Sequence, residues 1–169
     1  MKKHFLLASL LLVGPAIYGA GSERGPFDSK AAFDRLRSLA GEWEAKTSEG
    51  TVRITYEVIA GGSAVVERET PEGMPAMQTV YHLDGSRLLL THYCMLGNQP
   101  RMEAKAFNPA TGELKFEFLD ATNLATPGAM HMHNVTFHFV DSDHVLADWQ
   151  AFENGALKST ENFRATRVK

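Results

Sequence analysis

Cysteine is nearly missing from this chain. Cys94 is the one thiol among 169 residues, so no intrachain disulfide can form and no thiolate-rich metal cage can be built. An excess of positive charge is missing too. Seventeen Lys and Arg stand against 20 Asp and Glu, a formal charge of −3, which removes the electrostatic footprint of non-specific nucleic-acid binding. No apolar run reaches the roughly 20 residues that a membrane-spanning helix needs. The usual enzymatic signatures are absent as well. There is no Gly-x-Ser-x-Gly elbow, no His-Glu-x-x-His pair, no Gly-Lys-Ser/Thr phosphate loop and no Gly-x-Gly-x-x-Gly stretch. Binding is therefore favoured over catalysis.

What is present is ordinary globular composition, 44% hydrophobic and 22% charged, with enough chain for one cored domain. The start is distinctive. Lys2, Lys3 and His4 precede an apolar run over 5–13, then Gly14-Pro15 and the small residues Gly19-Ala20-Gly21, which is the order of a secretory signal peptide. The reading is a leader over 1–21, a linker over 22–28 and a single domain over 29–169. A leader that takes Lys2 and Lys3 and carries no acid leaves the rest of the chain at −5. Export to the periplasm or beyond the cell is expected, with no membrane span in the mature chain.

Asp28 or Ser29 can cap a helix over 29–40 whose apolar face is Ala32, Phe33, Leu36, Leu39 and Ala40. From Gly41 the period drops to two. Val52, Ile54, Tyr56 and Val58 alternate with polar neighbours, and turn signals such as Asp84-Gly85, Asn108-Pro109 and Asn154-Gly155 recur about every ten positions. Ten antiparallel strands joined by short turns predict an all-β, up-and-down barrel with the helix closing one end. Closure removes the two exposed edges that an open sheet would keep. A two-sheet sandwich is the rival.

Leu39-Ala40-Gly41-Glu42-Trp43 resembles the Gly-x-Trp signature of lipocalin-like (calycin) barrels, in which the Trp closes the base. Thr91-His92-Tyr93-Cys94 with Gly97-Asn98-Gln99-Pro100-Arg101-Met102 is similar to a group of secreted bacterial lipocalin-like proteins without assigned chemistry. The chain departs from secreted animal lipocalins in having no disulfide pair. It also lacks a His near its C-terminus such as haem-carrying barrels of the nitrobindin type use. The resemblance implies a ligand-holding cup.

Alternation assigns the faces. Leu88, Leu90, His92 and Cys94 are expected to point inward, as are Val135, Phe137 and Phe139 together with His131 and His133. The leading reading is a binding protein for a small hydrophobic or amphipathic molecule with a polar or anionic end. Leu88, Leu90, Phe116, Phe118 and Phe137 would line its cavity. His92, Asn98, Gln99, Arg101, His131 and His133 would hold the polar end. A metal or haem on His131 and His133 is the second reading, since imidazoles at i and i+2 on a strand project together. A filled interaction module in the cell envelope is the third. Six methionines after the leader suit an adaptable apolar cavity or plain gap-filling.

Overall fold

Asp28 accepts a hydrogen bond from the Ala31 amide at 3.0 Å and so caps helix α1, Ser29–Arg37. The computed structural model describes residues 27–47 and 50–169. The leader over 1–21 and most of the linker lie outside the described residues. α1 buries Ala32, Phe33 and Leu36, one stripe of a 3.6-residue period. It stops at Arg37, before the position its apolar pattern suggests. Leu39 is still buried, but in the turn that leads into the first strand. Gly41 opens that strand at φ +127°.

Ten strands follow: β1 Gly41–Thr47, β2 Gly50–Ile59, β3 Ala64–Pro71, β4 Met77–Asp84, β5 Arg87–Tyr93, β6 Gln99–Asn108, β7 Glu113–Thr122, β8 His131–Phe139, β9 His144–Glu153 and β10 Ala156–Arg167. Each pairs antiparallel with its neighbour in sequence, and β10 returns to pair with β1. The result is a closed up-and-down barrel. Among the described strands no edge is left open, which is the physical advantage of closure.

The two ends of the barrel differ. At one, α1 lies against β2, β4, β5 and β6 and seals the interior. Trp43, 1% exposed, donates from its indole to the Leu39 carbonyl at 2.7 Å. The Arg167 guanidinium sits 4.3 Å from the Trp43 ring and donates to the carbonyls of Ala40, Ser38 and Ser142. The sealed half is filled by Leu88, Leu90, Met102, Leu114, Phe116, Phe137 and Tyr81, all essentially without solvent contact. Tyr81, Phe116 and Phe137 meet edge-on or tilted at 5.9–6.4 Å, a favourable aromatic geometry. This half is a packed core.

Candidate site at the open mouth of the barrel

At the opposite end the interior does not fill. A pocket of about 200 Å³ lies inside the mouth. Its walls come from the ends of β1 to β5, from the start of β8, and from Trp149 of β9 and Glu161 and Phe163 of β10. The lining includes Met74, Met77, Met95, Met130, Met132 and Cys94, with His92, Trp149 and Glu69 as polar members. Among the described residues, no Lys or Arg lines it. A larger depression of about 840 Å³ lies between α1 and the 109–112 turn. It is an open groove on the sealed end and does not enter the barrel.

Strand register explains the polar groups. Tyr56, Glu67, Thr79 and His92 are cross-strand partners in one row over β2, β3, β4 and β5, so their side chains share the inner face. Thr79 Oγ1 and His92 Nδ1 are 2.9 Å apart. His92 is 2% exposed, and its Nε2 has no hydrogen-bond partner among the described residues. Burial pulls its pKa down to about 4, so the ring is neutral at pH 7. The His92 and Trp149 rings lie 5.0 Å apart, and the buried Trp149 indole nitrogen also lacks a partner.

Beneath the pocket runs an acidic network. Glu67 and Glu69, two residues apart on β3, both point inward, at 1% and 3% exposure. Tyr81 donates its hydroxyl to Glu67, and Glu67 is also hydrogen-bonded to Tyr56 and Glu69. Burial raises both carboxyls, and the Glu67 charge drives Glu69 further up. The pair therefore holds a proton between its two carboxyls rather than two full charges. Burial holds both phenols well above their ordinary range, which keeps them as donors. The sequence reading missed this network because Glu67-Arg68-Glu69 reads as a solvated charge run. The usable signal was the phase of β3, in which Val65, Glu67, Glu69 and Pro71 share one face opposite Tyr56.

Of the residues expected to hold a ligand, His92 stands in the pocket. Leu88, Leu90, Phe116 and Phe137 point inward as anticipated, but they belong to the packed half and not to the pocket wall. His131 and His133 differ from expectation in facing. Register shifts between Met132 and Asn134 of β8, a bulge that adds one residue and changes the phase of the strand. His131 then opposes Phe152, while Met132 opposes buried Ala151, on the Trp149 face. Met130 and Met132 consequently line the pocket.

The two histidines form a cluster outside the pocket, with ring contacts of 4.2–5.2 Å among Phe118, His131, His133 and Phe152. His131 Nδ1 meets the Ala129 carbonyl at 2.8 Å, and His131 Nε2 meets His133 Nδ1 at 3.0 Å. Three of the four ring nitrogens are thus engaged, with the two rings bonded to one another. Burial, then the His131 neighbour, pulls the His133 pKa down. Among the described residues no three His, Cys, Asp or Glu side chains are gathered to hold a metal.

The polar turn is likewise turned on itself. Asn98 donates to the Met130 carbonyl at 2.9 Å, Gln99 donates to the Gly97 carbonyl at 3.0 Å, and Arg101 pairs with Asp120 on the outer surface. None of the three lines the pocket. Asn98 still matters to it, because its bond ties the turn after β5 to the segment that carries Met130. Glu161 lines the pocket beside Phe163.

No protein-family model matches the chain, and no curated protein matches it. Among solved structures it is similar to the crystal structure of Rv2717c from M. tuberculosis, with a TM-score of 0.55 and 12% identity. The match covers 82% of this chain and 98% of that one. At that identity the likeness speaks for the fold alone. What the chain shows is a closed antiparallel barrel of ten strands.

Proposed function

We propose that this is an exported binding protein that holds a small, mainly apolar molecule in the mouth of its barrel. One observation carries the reading. A barrel sealed and packed at one end keeps a pocket of about 200 Å³ at the other, walled by apolar side chains with a few convergent polar groups. That volume equals roughly seven waters at liquid density, so the occupant is a compact molecule or the end of a longer one. Its polar end is neutral. Buried Glu69 and Glu67, with no cation in the lining, disfavour an anionic head, and the unpartnered nitrogens of His92 and Trp149 favour a hydrogen-bonding group. The leader pattern supports export.

The test is equilibrium titration of lipid-stripped protein with neutral alcohols and ketones of about eight non-hydrogen atoms, followed by Trp fluorescence and calorimetry. Saturable uptake is expected, and Met132→Trp, which fills the pocket, is expected to abolish it. Absence of saturable uptake by the unsubstituted protein overturns the reading.

A further inference from the structure

Sulfur is concentrated in one place in this molecule. Residues 27–169 contain six methionines, and five of them (Met74, Met77, Met95, Met130 and Met132) line the mouth pocket together with Cys94. The sixth, Met102, is fully buried in the packed half. Gap-filling does not account for this. A filler belongs in the core, where this chain uses Leu, Ile, Val and Phe, yet Met74 and Met95 stand 38% and 42% exposed at the rim. The sulfurs also arrive from separate parts of the chain. Met74 and Met77 come from the β3–β4 connection and the start of β4, Cys94 and Met95 from the turn after β5, and Met130 and Met132 from the entry to β8. Closure of the barrel, and the bulge that turns Met130 and Met132 to the pocket, bring them to one end.

We infer that the mouth is a binding site for a soft monovalent cation, Cu(I), held by thioether sulfurs with the His92 imidazole or the Cys94 sulfur completing the set. Thioether, thiol and imidazole donors favour Cu(I) over hard divalent ions, and the six sulfurs in this lining outnumber its two carboxylates. Met side chains have three rotatable bonds. In a pocket of about 200 Å³, rotamer changes alone can bring donors from facing walls toward one ion. His92 Nε2 is buried and unpartnered at the same pocket. Glu69 and Glu161 line it and, among the described residues, no Lys or Arg does, a balance that suits a cation and repels an anion. The inference uses the pocket of the proposed carrier but does not depend on an organic ligand.

The experiment labels the methionine methyl groups with carbon-13 and follows them by NMR as the protein is titrated with Ag(I), a redox-inert stand-in. Cu(I) is then added without oxygen against a chromogenic Cu(I) chelator. The mouth methyls are expected to shift together and saturate near one equivalent, while Met102, remote in the packed half, stays in place as an internal reference. Zn(II) is expected to leave all of them unmoved. Met130→Leu with Met132→Leu conserves volume and is expected to weaken Cu(I) binding at least roughly tenfold. If that double variant does not fold, Met95→Leu at the rim tests the same point. Unshifted mouth methyls at one equivalent, an equal response to Zn(II), or unchanged Cu(I) affinity in a folded Met→Leu variant overturns the inference. Absence of alcohol uptake by the unsubstituted protein, with Cu(I) binding intact, counts against the carrier reading only.

Discussion

At the residue scale, two buried titrating groups near the pocket pull stability in opposite directions with pH. His92 has its folded pKa lowered to about 4 by burial, below the 6.5 of an exposed imidazole. Its neutral, buried state is fully stabilised above pH 6.5, and the contribution is lost as pH falls toward 4. The loss amounts to roughly 3 kcal/mol when complete. Glu69 has the reverse sign. Burial and then Glu67 raise its folded pKa well above 4.5, so its contribution is present below pH 4.5 and is lost as pH rises through the folded value. Urea unfolding across a pH series checks both. His92→Gln is expected to flatten the acid side of the stability profile. Glu69→Gln is expected to gain on the unsubstituted protein as pH rises from the acid range toward neutrality. A variant profile parallel to that of the unsubstituted protein would show that the replaced group does not titrate in this way.

At the element scale, strand existence was legible because alternation and turn chemistry agree. Phase within a strand was less legible. A single added residue in β8 carried His131 and His133 to the Phe152 side, and nothing in the local pattern His131-Met132-His133-Asn134 announces a bulge. Turns left a clearer signature. Gly112 closes the β6–β7 turn at φ +69°, where an added Cβ would run into the Phe139 carbonyl oxygen. The Phe139 amide already donates to the Gly112 carbonyl at 2.9 Å. Gly112→Ala therefore carries both left-handed strain and a backbone clash. A loss of roughly 2–3 kcal/mol is expected, read from thermal or urea melts.

At the scale of the whole molecule, closure depends on a short seam. β1 meets β10 through Trp43↔Arg167, Glu44↔Thr166 and Ala45↔Ala165, whereas β9 and β10 pair along nearly their full length. Arg167 reinforces the seam by covering Trp43 and binding three backbone carbonyls across it. Arg167→Ala is expected to cost about 3 kcal/mol through the lost cation–π contact and the carbonyls left without that donor. Amide hydrogen exchange locates the effect. Protection should fall first along β1 and the end of β10, with β4, β5 and β9 little changed. Uniform loss of protection around the barrel would contradict a locally weak seam.

Alternating apolar residues, frequent turn signals and one amphipathic helix determined an antiparallel all-β domain preceded by a helix, because period and turn chemistry are properties of neighbours in the chain; closure into a barrel rather than a two-sheet sandwich is a property of the whole sheet. The inward direction of Leu88, Leu90 and His92 followed from the same rule. Tertiary structure decided what the barrel holds. Glu67 and Glu69 sit in the interior because cross-strand phase and the Tyr56 and Tyr81 hydroxyls make burial of a carboxyl pair tolerable. Three chain segments carry their sulfurs to one mouth because ring closure brings together positions up to 58 residues apart, from Met74 to Met132. Which half fills and which stays open is likewise set by side-chain volumes summed across all ten strands, a quantity that no single segment contains.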